Sequence, residues 1–194
     1  MKKTIYLLPI VVLSLLAFSG ALMSNVERPK YEVIVTNDDI EHRLYEKMIV
    51  AEVEIFDENR KEALKQGFKK LAEYIFGGNS DNLSIDMTAP VMQVKIDDGW
   101  KISFVMPQKF SLENLPKPNN NEIMIRETLV ENYVVIKFSG FNTDSNIENY
   151  ESILNMYIED NNIKTYQDKY YAFYNPPWTL PFMRENEILS KIDF

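Results

Sequence analysis

The side chains able to do chemistry in this chain are few. His42 is the single histidine and there is no cysteine. Disulfides, thiolate nucleophiles and thiolate metal sites are therefore excluded, and so are zinc or iron centres built from several histidines. One imidazole still suits one iron as a lone axial ligand. The thioethers of Met87, Met92 and Met106 and the phenol of Tyr45 are weaker candidates for that role, because apolar strand positions already account for them. Glu41 and Glu52 are the carboxylates an enzyme would use as base, but no nucleophile elbow or metal-binding pair accompanies them. The pattern is that of a binding protein, not an enzyme.

These residues need elements to position them. His42 falls in a predicted strand, Ile40 to Tyr45, on the same face as Ile40 and Leu44. Strands are also predicted from Pro29 to Val35, before the turn-prone Thr36-Asn37-Asp38-Asp39, and from Met48 to Phe56, where Ile49, Ala51, Val53 and Ile55 alternate with Val50, Glu52 and Glu54. From Asp57 to Phe76 the period turns helical. Leu64, Gly67, Phe68, Leu71 and Ile75 share one face, and Lys61, Lys65, Lys69 and Glu73 cover the other. Asp57 is the expected N-cap and Gly77 the residue just past the C-terminus. An irregular hairpin follows, with Pro90 limiting its first strand to an edge or a bulge, a turn at Asp97-Asp98-Gly99 and an end at Phe104-Val105-Met106-Pro107. Phe110 to Asn121 is a polar, proline-bearing loop of a length that signals function or mobility.

The second half repeats this order. Glu122 to Leu129 and Tyr133 to Phe138 read as a hairpin turning at Glu131-Asn132. Ser145 to Asp160 reads as a helix opened by the capping box Ser145-Asn146-Ile147-Glu148, and strands near Tyr166 to Tyr174 and Met183 to Ile192 finish the unit. Phe173-Tyr174-Asn175-Pro176 is read as the counterpart of Phe104-Val105-Met106-Pro107, in an internal duplication of a strand, helix, strand, strand unit. Two such repeats predict an α+β fold, a curved sheet closed into a distorted antiparallel β-barrel with two helices packed outside and a groove between helix and sheet. Asn175 to Phe182 is too proline-rich for a strand and either closes the barrel end, the expected role, or binds a partner.

Several strings carry a resemblance. Ile85-Asp86-Met87-Thr88-Ala89-Pro90-Val91, set between a helix ending Tyr74-Ile75-Phe76-Gly77-Gly78-Asn79 and a strand ending Phe104-Val105-Met106-Pro107, resembles the signature of the SOUL haem-binding family. Leu115-Pro116-Lys117-Pro118-Asn119, Phe138-Ser139-Gly140, Tyr174 to Phe182 and Arg184-Glu185-Asn186-Glu187 extend the likeness, which marks out a domain from residue 29 to 194. It implies the SOUL fold, related to effector-binding domains of the GyrI type, and non-covalent binding of haem or a related tetrapyrrole for capture, buffering or transfer. In this family the first helix is where the ligand is proposed to lie. Phe68, Leu71, Ala72 and Ile75 then become one wall of an apolar slot, with Gly67 and Ala72 small enough to admit a flat macrocycle; the ordinary alternative is that this row is core. His42 becomes the candidate axial metal ligand, although many family members lack histidine there. Arg43 and Lys65, with Arg60, Lys69 and Lys70, offer cations for the propionates. Glu73 opposes a carboxylate-bearing ligand and favours the alternative of another amphipathic effector or lipid-like ligand in the same fold. A third reading is an enzyme acting on a bound tetrapyrrole.

Composition bounds the rest. A chain of 194 residues with 45% hydrophobic and 26% charged residues fits one globular domain. The net charge of -8 becomes -10 when Lys2 and Lys3 leave with the N-terminal segment, which speaks against nucleic acid as partner. Residues 1–24 contain two lysines, an apolar run from Ile5 to Phe18 and the small residues Ser19-Gly20-Ala21, the layout of a signal peptide. Left uncut, the 19 residues from Ile5 to Met23 are long enough to serve as a membrane anchor. Either outcome places the domain outside the cytoplasm, exported to a periplasmic or extracellular space or tethered at the membrane.

Overall fold

Alternation of side chains decides which way each strand faces. The strands β1 (Tyr31–Asn37), β2 (Ile40–Tyr45), β3 (Ile49–Ile55), β4 (Val91–Ile96), β5 (Gly99–Val105), β6 (Met124–Glu127), β7 (Glu131–Phe138), β8 (Thr165–Phe173) and β9 (Asn186–Ile192) form one antiparallel sheet, in the order β1-β2-β7-β9-β8-β4-β5-β3-β6. The structure is a computed structural model that describes residues 26–193, so the expected signal peptide or anchor lies outside the described residues. Helices α1 (Arg60–Ile75) and α2 (Asp144–Asp160) cover one face of the sheet, α1 against β3 and β5, α2 against β7 and β9. Ala51, Val53, Ile102, Phe104, Val134, Ile136 and Ile188 point to that face and make one continuous core with Leu71, Ile75, Ile147 and Leu154. Full burial of one such aliphatic side chain stabilises by roughly 1.5–3 kcal/mol, so this layer dominates the favourable side of folding. Among the described residues no helix is long and apolar enough to cross a membrane.

The curled sheet with its outer helices is the α+β distorted barrel that the sequence predicts, and the duplication is visible in its wiring. In β3-α1-β4-β5 and in β7-α2-β8-β9 the last strand lies between the other two, and the units meet where β4 pairs with β8, Val91 opposite Phe173. The strand before each unit crosses to the other unit: β2 pairs with β7, and β6 pairs with β3. The expected hairpin between Glu122–Leu129 and Tyr133–Phe138 is therefore not formed. Both edges of β7 are occupied by β2 and β9, while Ile125 of β6 packs against the helix-side core opposite Ala51. The proposed counterparts also fall at different places, since Phe104 belongs to β5, the last strand of its unit, and Phe173 to β8, the middle one.

Local chemistry sets the helix ends two residues from where the letters suggest. Asn59 caps α1, its side chain accepting from the Lys61 and Glu62 amides at 3.0 and 3.2 Å, while Asp57 accepts from the Asn59 amide at 2.9 Å. Thr143 caps α2. Each such cap is worth about 1 kcal/mol. After α1, Gly77 takes a φ of +107°, the left-handed turn that ends a helix. The strings that resemble the family signature clasp this end. Asn79 Nδ2 donates to the Tyr74 and Leu83 carbonyls at 2.9 and 2.8 Å, the Tyr74 hydroxyl donates to Pro116 O at 2.9 Å, and the Asn119 amide donates to Gly78 O at 3.0 Å. The Thr88 hydroxyl donates to Val105 O at 2.6 Å, joining the signature to the end of β5.

Candidate ligand cleft

The helix face read as a slot wall is mostly core. Leu71 and Ile75 are buried, and the space beside Gly67 is filled by Ile102, whose Cγ1 would lie 2.3 Å from a Cβ placed there. Gly67 thus admits the sheet and not a macrocycle. Phe68 remains 37% exposed with its ring edge-on to Phe104 at 5.3 Å; Ala72 is half-buried and Lys65 exposed, 3.7 Å from Glu62. These three share the outer surface of α1. The structure does not bring His42 or Arg43 to them, and it separates those two from each other, because neighbours on a strand point to opposite faces. His42 lies beneath α2, its Nε2 3.1 Å from the Tyr157 hydroxyl and its ring edge-on to that of Tyr157 at 5.8 Å. Burial pushes its pKa down.

Arg43 points to the inner face of the curl, where charge is already balanced. Its Nε donates to Glu41 at 2.7 Å, its Nη2 to Glu187 at 2.7 Å and its Nη1 to the Tyr45 hydroxyl at 2.9 Å, with the Tyr31 ring stacked at 4.2 Å. Burial opposes the charge on Arg43, but hydrogen bonding and attraction to Glu187 outweigh it and push its pKa up. Tyr174 donates to the second Glu187 oxygen at 2.6 Å, and Lys137 pairs with Glu41. This arginine is withdrawn from water and already balanced by two carboxylates, so it is not a free cation for a propionate. Further along the same face, Tyr45, Met48, Met92, Tyr133, Tyr170 and Tyr174 line a hollow of about 80 Å³. Burial first, and then Glu131, raise the pKa of Tyr133. Glu52, paired with Arg126 at 2.9 Å, is 5% exposed and keeps one oxygen without a hydrogen-bond partner.

Met48 and Pro29 lead from this hollow into a larger cleft of about 400 Å³, which they also line. Such a volume lies within the range of small-molecule sites, roughly 300–1,000 Å³. Its walls come from segments that only the fold brings together: residues 27–30, the β2–β3 turn with Met48 and Ile49, the end of β5 with Met106, the following loop with Phe110 and Leu112, and the single residues Thr88 and Glu127. Met48 and Met106 bring soft thioethers. Lys30 lines the cleft and makes no ion pair within the described residues, whereas Arg28 pairs with Glu185 at 2.9 Å and Lys47 with Glu127 at 3.4 Å. Glu27, Glu46 and Glu113 add negative charge to the same cleft. The lining therefore combines thioether, aromatic and aliphatic side chains with one lysine outside any ion pair among the described residues and several carboxylates. Among the described residues no three His, Asp or Glu side chains are grouped to hold a bare metal ion. Of the cleft residues, sequence reasoning singled out Thr88 in the family-like string, Met106 and the 110–121 loop, but Lys30 and Met48 carried no signal before the topology was known.

A curled antiparallel sheet of two alike units, with outer helices and a ligand-sized cleft, defines an α+β protein with a candidate small-molecule site. Comparison with known proteins narrows the class. The family model for SOUL heme-binding protein matches residues 26–191, and the chain belongs to the SOUL family. It is 27% identical over 181 residues to heme-binding protein 1 of Mus musculus, covering 87% of this chain and 94% of that one. Among solved structures it is similar to the EcmrR C-terminal domain, with a TM-score of 0.59 at 12% identity over 84% of this chain and 98% of that one. A hydrolase from Listeria innocua gives 0.55 at 10% identity over 82% and 94%. At such identities these two likenesses show the shared SOUL/GyrI-like fold alone.

Proposed function

We propose that the protein binds haem or a related tetrapyrrole, non-covalently, in the cleft between residues 27–30 and the 106–113 segment, for capture, buffering or transfer outside the cytoplasm. The carrying observation is the cleft itself: about 400 Å³, walled by Met48, Met106, Phe110 and Leu112, with Lys30 unpaired within the described residues. Family membership supplies the ligand class. Met48, in the cleft wall, would be the residue to hold the metal of such a ligand, and Lys30 its carboxylate. Glu41 and Glu52, the carboxylates an enzyme would need, are held by Arg43, Lys137 and Arg126, which supports binding over catalysis.

The acidic residues of the cleft favour one rival, a neutral or cationic amphipathic ligand. Titrating the full chain with hemin separates the two. A Soret band that shifts and saturates at stoichiometric ligand supports the tetrapyrrole. An unshifted band, from protein that still binds an apolar dye displaced by fatty acid, assigns the cleft to a lipid-like ligand instead.

A further inference from the structure

Between β8 and β9 the chain runs through Asn175-Pro176-Pro177-Trp178-Thr179-Leu180-Pro181-Phe182-Met183-Arg184. If this segment closed the barrel end with its aromatic rings, they would be buried. Instead Trp178 is 78% and Phe182 74% exposed, and Leu180, Met183 and the nearby Phe141 are exposed with them. A cluster of large apolar side chains in water marks a surface that something covers. The loop beneath them is braced. The Arg184 guanidinium donates to the Thr179 carbonyl at 2.9 Å and to that of Pro177. The Thr179 amide donates to Pro176 O at 3.0 Å, the Met183 amide to Leu180 O at 2.9 Å and the Gly140 amide to Pro181 O at 2.9 Å. With the backbone already fixed, little ordering entropy is left to lose when the rings are covered.

Charge, composition and position indicate what covers them. The protein carries a net charge of -8, yet residues 139–143 and 175–184 contain no Asp or Glu, and Arg184 adds a cation. Tryptophan is the side chain most at home at headgroup depth, with its ring apolar and its N–H wet. The chain outside the described residues ends at residue 25, and Arg28 pairs with Glu185 at 2.9 Å and lies 4.6 Å from the centre of the Tyr174 ring. Arg28, near the start of the described residues, therefore lies beside the end of this loop.

We propose that the loop of residues 176–183 is a membrane-docking surface that inserts Trp178 and Phe182 into the interface of a bilayer with zwitterionic headgroups. Because Arg28 also lines the cleft, docking brings the cleft close to lipid. That corollary rests on the cleft being the ligand site, whereas insertion of the loop does not.

Trp178 reports on its own position, because the chain has two tryptophans and Trp100 is buried. The full chain is mixed with phosphatidylcholine vesicles, with and without brominated acyl chains, and tryptophan emission is recorded. Insertion predicts a blue shift and quenching by the bromines, both lost in Trp178→Phe with an unchanged circular dichroism spectrum, and both weakened in Phe182→Ala. Emission still quenched by aqueous iodide and insensitive to bromine overturns the proposal, whether or not the N-terminal segment holds the chain on the vesicles. So does a blue shift that grows with protein concentration in the absence of lipid, which would assign the patch to a second copy of the chain.

Discussion

Arg43 Nη2 sits 2.7 Å from Glu187 Oε1, with both side chains withdrawn from water, and the pair ties β2 to β9 across β7. Truncating one member strands the other charge in the interior. Arg43→Ala or Glu187→Ala is expected to lower stability by about 3–5 kcal/mol, read as a fall in the urea midpoint. A change below about 1 kcal/mol, the range of exposed ion pairs, would show that the pair is hydrated.

His42 is expected to leave the haem spectrum alone. Its Nε2 is engaged with Tyr157 under α2, so His42→Ala should keep the Soret maximum of the hemin complex; a displaced maximum would restore it as ligand. Its pKa gives a second readout. Burial lowers it from 6.5, so the unfolded chain binds the proton more readily. The stability it contributes is complete above pH 6.5 and is lost as pH falls through the depressed folded value. Stability measured against pH should therefore fall less steeply below pH 6.5 in His42→Ala than in the parent.

Glu41 acts further down the scale. Burial alone would raise its pKa, but Lys137 and Arg43 outweigh burial and lower it from 4.5. Its contribution is present above pH 4.5 and is lost as pH falls through the folded value. Glu41→Gln should flatten acid unfolding in that window; an unchanged acid limb would mean that the carboxylate is unpaired in solution.

Gly67→Ala tests the contact between α1 and the sheet. The new methyl would meet Ile102 Cγ1 at 2.3 Å and Cβ at 2.7 Å, and Ile102 is itself buried. Overpacking of this kind costs roughly 1–3 kcal/mol, against about 1 kcal/mol gained from helix propensity. The expected outcome is a lower melting temperature; a higher one would mean that α1 stands off β5.

What the sequence made legible was local. The alternation in β2 and β3, the apolar stripe of α1 and the turn at Asp97-Asp98 needed no partner to be read. The exchange of β2 and β6 between the two units was not legible, because adjacency in sequence favours the β6–β7 hairpin while the pairing of Ile125 with Ala51 is long-range. Helical periodicity placed Leu71 and Ile75 on one face but could not say whether sheet or ligand covered it. The separation of His42 from Arg43 could have been read, since alternation alone sends neighbouring strand residues to opposite sides. The cleft could not, because residues 27–30, 48–49, 106 and 110–112 converge only once the whole sheet is assembled.

The central claim is that a tetrapyrrole occupies this cleft and not the outer face of α1. Hemin affinity of the full chain, read from Soret titrations, decides it with two charge insertions of equal kind. Leu112→Glu, in the cleft wall, is expected to weaken binding roughly tenfold or more, the loss of burying one leucine side chain. Phe68→Glu, on the exposed helix face, is expected to stay within about twofold of the parent, as a surface substitution away from the ligand does. The reverse pattern, with Phe68→Glu abolishing the Soret shift and Leu112→Glu leaving it intact, would contradict the account and return the ligand to the helix.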